Sequence, residues 1–553
     1  MNRQYLYNIE AFAEKPGLVF GFGWIFSKGA VLSRLAITAH FESGEMNSVE
    51  ATFGSGRPDI ATAFPEHADS LHSGFYFYGS WPKRQAKVHH YSLDAEDAEG
   101  NTRSIIIESH APTDPLHEKS PPPLRRLIPQ LLKKAWRLAA SGKFETLYSR
   151  ATRYLGRWPS RADSSGAPLS HMLQKLGGKQ GFVMIIDHDL GGGANMYRDK
   201  MILRHAEDGR PVLLLSYHLA SFSYFIEIIS GERKERIALD GLDIFIDLVN
   251  QGSISHIFYN TAVSFEHPEQ IPALIARLRS GRNVRLTIAI HDFFPICPSH
   301  FLLNSEGRYC RLPDEQKCQR CLSSHTDGFV SIYSSRDMAA WRKLWGACLE
   351  IADEVLCFSE SSRQLLLQAY PQLKCRNILV RPHTVEHLPK AIPRIDRTAP
   401  LHIGVVGNIG IHKGMLVLRD LVHEIERRKM KTRVTVVGSI GIGGLQAHVD
   451  ETGQYDPKDL PGLIEASGAN VFLFPSIWPE TFSYVTEELI RLEVPLVCFD
   501  LGAPAERVAR YQLGRVIEYV DSETLLDSLI GFHAEMAKAS NRDAQCLLQT
   551  RNS

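Results

Sequence analysis

The sequence predicts an α/β protein in which two Rossmann-like domains face each other across a cleft, after a β-rich N-terminal domain. Three observations indicate this. Short β-type runs separated by turn residues occupy the first 110 residues. Buried apolar strands then alternate with helical patterns from residue 181, and a second series of this kind begins at residue 401.

Five segments follow from these patterns in a chain of 553 residues, which is too long for one hydrophobic core. We expect a β-rich accessory domain at 1–110 and a basic helical linker at 111–175. Rossmann-like domains are expected at 176–392 and 398–535, with a tail at 536–553. The spacing of the runs in the first segment favours a β-sandwich. Its aromatic residues at 75–78 and Trp81 are expected in the core rather than on a sugar-stacking face.

The composition describes an ordinary globular protein and gives no argument for nucleic acid as a partner. Apolar residues make up 44% and charged residues 22%, and the formal net charge is zero. No apolar run reaches membrane-spanning length and the first residues lack a secretory signal, so we expect a cytoplasmic protein. Nine cysteines in so long a chain do not indicate a disulfide scaffold.

The linker carries ten Lys or Arg residues and one acidic residue between Arg125 and Arg161, interleaved with Leu, Trp, Phe and Tyr. Such a segment suits an interfacial helix on anionic lipid, which would give peripheral membrane contact through residues 120–160. A solvated helix that packs its apolar stripe on a neighbouring domain fits equally well. Pro129 and Gly142 interrupt the amphipathic pattern.

Two glutamates near the end of one predicted strand are the strongest candidates for a binding site. The apolar run at 470–474 predicts a buried strand, and Pro475 and Pro479 then place Glu480 on a loop at its carboxyl end. A helical pattern from about Tyr484 puts Glu488 in the first turns of a helix. Because ligands of open α/β sheets bind at this edge, the two carboxylates could hold hydroxyl groups of one ligand.

Three further strand ends carry candidate residues. Gly192 and Gly193 follow the strand at 181–187, where backbone N–H groups can approach an anion. His291 follows the strand at 284–290, and Lys413 lies in the turn after the strand at 401–406, where its charge could neutralise a diphosphate. Each has an ordinary structural alternative: a tight turn, a core histidine or a solvated lysine.

The run from Pro479 to Glu488 resembles the Glu-(seven residues)-Glu signature of retaining glycosyltransferases of family 4, including the bacterial surface-polysaccharide type. The resemblance covers about residues 180–530 and implies the GT-B fold, with the acceptor on the 176–392 domain and a nucleotide-sugar donor on the 398–535 domain. It implies that Glu480 lies near the donor sugar and that Glu488 binds the ribose. The other residues to which it gives donor-binding or catalytic roles are Lys413, His291, Gly407, Asn408, Thr481, Phe482, Ser483, Gly192 and Gly193.

One position departs from the family pattern. Family members usually have Gly-Arg, four residues and Lys-Gly in the turn that contains Lys413, whereas this chain has Asn408 in place of the Arg. Either another cation supplies the second charge, or the donor binds more weakly or in a different arrangement.

Four cysteines lie within a short loop: Cys297, Cys310, Cys318 and Cys321. Their spacing is compatible with a tetrahedral structural zinc site, which we favour slightly. Four reduced thiols, or a redox pair in the Cys-x-x-Cys unit, are the alternatives.

The resemblance therefore implies a retaining glycosyltransferase of hexosyltransferase type that uses a nucleotide sugar and no organic cofactor, with a glycan or lipid-linked polysaccharide as acceptor. A nucleotide-sugar epimerase or a sugar phosphorylase on the same fold is one alternative. A carbohydrate-binding or scaffold protein with a decayed site is another, and Asn408 supports it. A glycoside hydrolase fits poorly, because its two carboxylates must flank a scissile bond.

Overall fold

The structure is a computed structural model that describes residues 5–27, 32–81, 87–97, 99–107, 181–231, 233–239, 241–242, 245, 254–375, 377–440 and 449–551. The predicted basic linker and its membrane contact therefore lie outside the described residues. In the described part of the chain, no helix is long and apolar enough to cross a membrane.

The N-terminal segment is a sandwich of two antiparallel four-stranded sheets, ordered β1-β2-β6-β5 and β4-β3-β7-β8. Side chains from both sheets alternate inward into one core, as expected when each sheet buries one face. Phe75, Phe77, Tyr78 and Trp81 are buried, as predicted, whereas Tyr76 is only partly buried. The strands are β1 Tyr5–Lys15, β2 Leu18–Ser27, β3 Leu32–Phe41, β4 Met46–Glu50, β5 Thr52–Ser55, β6 Gly74–Ser80, β7 Val88–Asp97 and β8 Thr102–Ile107, with helix α1 at Pro58–Ala63.

The first Rossmann-like domain is built on an eight-stranded sheet ordered β12-β11-β10-β9-β13-β14-β15-β16. Strands β9, β10 and β13 to β16 are parallel, whereas β11 and β12 add to the edge as antiparallel strands. The strands are β9 Phe182–Ile186, β10 Val212–His218, β11 Ser223–Ser230, β12 Arg233–Leu239, β13 Ile254–Tyr259, β14 Arg285–Ala289, β15 Glu354–Cys357 and β16 Ile378–Val380. The helices are α2 Gly193–Glu207, α3 Ile271–Arg279, α4 Glu315–Ser324, α5 Gly328–Ile332, α6 Met338–Glu350 and α7 Glu360–Ala369.

The second Rossmann-like domain has a six-stranded, all-parallel sheet ordered β19-β18-β17-β20-β21-β22. Its central strands are completely buried apolar runs, because helices cover both faces. The strands are β17 His402–Ile409, β18 Arg433–Ile440, β19 Val449–Glu451, β20 Val471–Phe474, β21 Leu496–Phe499 and β22 Gly514–Ile517. The helices are α8 Met415–Arg427, α9 Leu460–Ser467, α10 Tyr484–Arg491, α11 Gly502–Val508 and α12 Ser522–Arg551, which runs through the predicted start of the tail.

The β-sandwich is joined firmly to the first Rossmann-like domain. Lys15 Nζ lies 2.8 Å from Glu266 Oε2, and the backbone N–H of Ser80 donates to Ser331 Oγ at 2.9 Å. Tyr78 packs into the same apolar core as the strands of that domain. The sandwich also reaches the second domain, where His72 Nε2 lies 3.2 Å from Glu451 Oε1.

The predicted fold class is confirmed: the chain has a β-rich N-terminal domain followed by two α/β domains in the GT-B arrangement. Residues 381–401 connect β16 to β17 and pass between the two α/β domains. We call them the interdomain linker.

Candidate active site between the two α/β domains

The turn that carries Lys413 is packed directly against the loop that follows β20. Gly414 has φ 86°, which favours glycine, and a Cβ placed on it would lie 2.0 Å from the carbonyl oxygen of Pro475. The backbone N–H of Ile477 donates to the carbonyl oxygen of His412 at 3.2 Å. These contacts bring two stretches 60 residues apart in the sequence to one edge of the sheet, as the strand-end argument predicts.

Glu480 is a buried carboxyl on this loop, with 7% of its surface exposed. Its backbone is fixed on both sides, since its N–H donates to Trp478 O and its carbonyl oxygen accepts from Ala503 N, each at 2.9 Å. Burial raises the pKa of Glu480, and the charge of Lys413 opposes that rise. The Oε1 atom is buried and has no hydrogen-bond partner among the described residues. An acceptor in this state is suited to a hydroxyl group of a bound ligand.

Glu488 lies in the second turn of α10, whose first turn is capped by Ser483. The Ser483 hydroxyl accepts from the Thr486 N–H at 3.3 Å, and this satisfies one of the free donors of the helix end. Burial raises the pKa of Glu488, while His387 and then Lys413 act to lower it. Lys413 is therefore the common positive neighbour of Glu480 and Glu488, and the structure brings these three predicted residues together.

His291 lies across the cleft from these residues, after β14 of the first α/β domain. Its carbonyl oxygen accepts a hydrogen bond from Thr481 Oγ1 at 2.8 Å, so the loop that carries Glu480 is anchored across the cleft. Its ring stacks on Phe358 with centroids 4.4 Å apart. Burial lowers the pKa of His291 well below its usual range, which keeps the ring neutral, and Nε2 is buried with no hydrogen-bond partner in the described part of the chain.

The glycine-rich loop faces the start of α10. Gly192 has φ 87° and precedes the first residue of α2, Gly193. A Cβ placed on Gly193 would lie 3.3 Å from the ring of Tyr484, so a larger side chain would crowd the contact between the domains. Gly407, with φ 117°, faces Val485 of the same helix. Gly193 thus lets the glycine-rich loop approach α10 closely, whereas a Cβ placed on Gly192 would meet nothing within 4 Å.

Asn408 is exposed and adds no charge to the site. Its Oδ1 accepts from Ser439 Oγ at 2.9 Å, which ties β17 to β18. Phe482, another predicted residue, packs below the guanidinium of Arg507, with 4.0 Å between the Arg Cζ atom and the ring centroid. The Arg507 guanidinium also lies 3.9 Å from Glu487, and its Nη1 atom is buried without a hydrogen-bond partner among the described residues.

A buried polar network beside the glycine-rich loop was missed at the sequence level. Asp187 accepts from Asn195 Nδ2 at 2.7 Å and from Arg198 Nη1 at 3.1 Å. Asp292 accepts from Thr261 Oγ1 at 2.7 Å, and burial raises the pKa of Asp292 to about 6. These acids follow β9 and β14, so their position after apolar strands was the signal that could have identified them.

Two linker histidines were also missed. His387 Nε2 lies 2.6 Å from Glu488 Oε1, and His383 Nδ1 is hydrogen-bonded to the Tyr484 hydroxyl at 3.0 Å. Burial lowers the pKa of His383 to about 3, so this ring is neutral. Two histidines four positions apart, just before the predicted boundary between the two Rossmann-like domains, were the available signal.

The zinc site at the four loop cysteines stays a prediction. No group of three or more His, Cys, Asp or Glu side chains within the described ranges is arranged to hold a metal ion. Cys318 donates from Sγ to Pro313 O at 3.5 Å and accepts from Arg342. Burial raises the pKa of Cys297 to about 12, and the neighbouring thiols of Cys310, Cys318 and Cys321 add to that rise.

The model of a known protein family matches the second α/β domain. Residues 394–542 match the family model of the glycosyl transferases group 1. The matched region contains Lys413, Glu480 and Glu488. No curated protein sequence matches the chain.

Solved structures of glycosyltransferases resemble this chain at low sequence identity. Sucrose-phosphate synthase from Thermosynechococcus elongatus is 15% identical, with a TM-score of 0.41, over 67% of this chain and 99% of that one. HepE from Anabaena, solved with UDP-glucose, is 14% identical, with a TM-score of 0.38, over 64% and 92%. A glycosyltransferase from Rickettsia africae is 11% identical, with a TM-score of 0.40, over 65% and 90%.

Proposed function

We propose that this protein is a retaining glycosyltransferase that moves a sugar from a nucleotide-sugar donor to a glycan or lipid-linked polysaccharide acceptor. The observation that carries the proposal is the convergence of two buried carboxyls, Glu480 and Glu488, on one lysine, Lys413. All three lie in the region that matches glycosyl transferases group 1.

The charged side chains of the donor domain match different parts of an activated sugar. Departure of a nucleoside diphosphate builds negative charge on phosphate, and the Lys413 ammonium group stabilises that charge in a site shielded from water. Glu488 takes the ribose hydroxyls, and Glu480, with its unpaired buried oxygen, takes a hydroxyl of the sugar. The starts of α8 and α10 add the partial positive charge of their free N–H groups.

The acceptor approaches from the first α/β domain, past His291 and the glycine-rich loop. His291 is neutral and buried, so it acts as a hydrogen-bonding and positioning group rather than as a cation. Attack on the same face of the donor sugar that the diphosphate leaves accounts for retention of configuration, and positioning supplies much of the rate. The acceptor type and a location on the cytoplasmic face of a membrane belong to this proposal.

The decisive experiment incubates the purified protein with UDP-, GDP-, ADP- and TDP-sugars and measures release of the nucleoside diphosphate. We expect release from one donor class, stimulated by a polysaccharide or lipid-linked acceptor and abolished in Glu488→Ala and Lys413→Ala. Ligand binding without turnover would instead favour a binding or scaffold protein, which the uncharged Asn408 supports. Phosphate-dependent release of sugar 1-phosphate from a glycan, with no nucleotide sugar present, would favour a phosphorylase, and conversion of the nucleotide sugar into its epimer without net release of diphosphate would favour an epimerase.

Membrane contact is tested separately, by flotation with anionic liposomes. We expect the full chain to float and a chain without residues 120–160 to remain in solution. Equal flotation of both proteins would remove this part of the proposal.

A further inference from the structure

The interdomain linker lies along one face of α10, the helix that carries Glu488. Three linker residues at alternate positions make the contacts: His383, Val385 and His387. His383 and His387 make their contacts with ring nitrogens, whereas Val385 accepts from Arg491 through its backbone carbonyl oxygen. Their partners on α10 are Tyr484, Glu488 and Arg491. These residues are four and three positions apart, so they lie on one face of the helix.

The same linker also contacts the first α/β domain. Lys200 Nζ, on α2, donates to the carbonyl oxygen of Thr384 at 3.1 Å. The segment is therefore held between α2 of one domain and α10 of the other. A change in the angle between the domains must move the linker relative to at least one of these helices.

The contact between His387 and Glu488 differs from the other two because it engages a carboxylate predicted to bind ligand. The two atoms are 2.6 Å apart, and the side chains are 23% and 7% exposed. A charge-assisted hydrogen bond of this length fixes the carboxylate plane, since a buried acid held at one oxygen has little freedom to rotate. One carboxylate oxygen of Glu488 is thus already hydrogen-bonded to the linker.

We propose that His387 is a positioning residue for the donor site: it holds Oε1 of Glu488 so that Oε2 faces the ribose hydroxyls, and it couples donor binding to the linker between the domains. This inference rests on the proposed function, because it assigns a ribose to Glu488. It assigns no contact between His387 and the donor itself.

The test compares the affinity of a nucleoside diphosphate with that of its 2′,3′-dideoxy form, which lacks the hydroxyls that Glu488 would bind. UDP, GDP and ADP are titrated first into the wild-type full chain by calorimetry, and the tightest binder is used. We expect His387→Ala to weaken the ribonucleotide about tenfold, the effect of one charge-assisted hydrogen bond, and to change the dideoxy form by less than about twofold. His387→Gln, which keeps a donor N–H, should recover most of the loss.

Two controls separate positioning from general damage. His423→Ala replaces an exposed histidine on α8 of the same domain and should leave both affinities unchanged. In a Glu488→Ala background, His387→Ala should have no further effect, because the residue it positions is gone.

The outcomes are distinct. Equal weakening of both nucleotides in His387→Ala, or tighter ribonucleotide binding, would overturn the positioning role while leaving the proposed function intact. If none of the three diphosphates bound wild type, this inference would fall, and the proposed function would fall with it only if the full panel of nucleotide sugars, TDP-sugars included, also gave no release of diphosphate.

Discussion

The hydroxyl of Thr481 donates to the backbone carbonyl oxygen of His291 at 2.8 Å, across the boundary between the two α/β domains. Thr481 follows Glu480 in the chain, and His291 lies two residues after the end of β14. This hydrogen bond therefore joins the donor-side loop to the acceptor-side strand end. The Ser362 hydroxyl adds a second contact across the same boundary, since it donates to the Thr481 carbonyl oxygen at 3.5 Å.

We expect Thr481→Val to lower kcat/KM about tenfold and to reduce the free energy of unfolding by about 1–3 kcal/mol. The substitution preserves the shape of the side chain but leaves the His291 carbonyl oxygen without its donor. Thr486→Val is the matched control, because the Thr486 hydroxyl is equally buried and has no hydrogen-bond partner among the described residues. Urea unfolding and initial rates measure both effects, and equal behaviour of the two variants would contradict the role of this bond.

We expect Gly414→Ala to destabilise the protein by more than about 3 kcal/mol and to abolish donor binding. Its Cβ would lie 2.0 Å from the Pro475 carbonyl oxygen, so the Lys413 turn and the Glu480 loop would have to separate. Gly453→Ala is the control: Gly453 also has a positive φ, 76°, but a Cβ there would meet nothing within 4 Å. That variant should lose only about 1–2 kcal/mol from backbone strain. If thermal unfolding showed similar losses of stability for the two variants, the close approach of Gly414 to Pro475 would not be what matters.

We expect the stability of wild type to fall relative to Asp292→Asn as the pH rises from about 4 to about 6. Burial raises the pKa of Asp292 to about 6 in the folded state, above the ordinary 3.8 of the unfolded chain. In this window the folded state binds more protons than the unfolded state, so raising the pH favours unfolding. A shift of this size corresponds to about 3 kcal/mol at most. Urea unfolding from pH 4 to 7 measures the difference between the proteins, and a constant difference would contradict the shift.

The parallel strands of both domains were predictable because buried strands are continuous apolar runs with turn residues after them. The runs around Phe182–Ile186 and Val471–Phe474 carried this signal directly. Strands β11 and β12 were not predicted. They join the sheet as an antiparallel edge, and Glu227 and the charged run Arg233–Arg236 interrupt the apolar pattern.

The convergence of Lys413, Glu480 and Glu488 followed from topology, since all three come after strands of one parallel sheet. The bond between His387 and Glu488 could not be predicted in this way, because the partners are 101 residues apart and meet only through the path of the linker. The zinc site at the four cysteines stays a prediction for a related reason. Spacing along a chain does not determine where four thiols lie once Cys318 and Cys321 are placed on a helix.

The most direct measurement of the central claim is the affinity of wild type and Lys413→Met for UDP, UMP and the nucleoside uridine, or for the corresponding set of whichever base the protein binds. If Lys413 neutralises a diphosphate next to the two carboxyls, the substitution should weaken the diphosphate about tenfold or more, the monophosphate less and the nucleoside hardly at all. Lys413→Arg, which keeps the charge, should retain part of the preference. Equal affinities of wild type and Lys413→Met for the diphosphate would contradict the account.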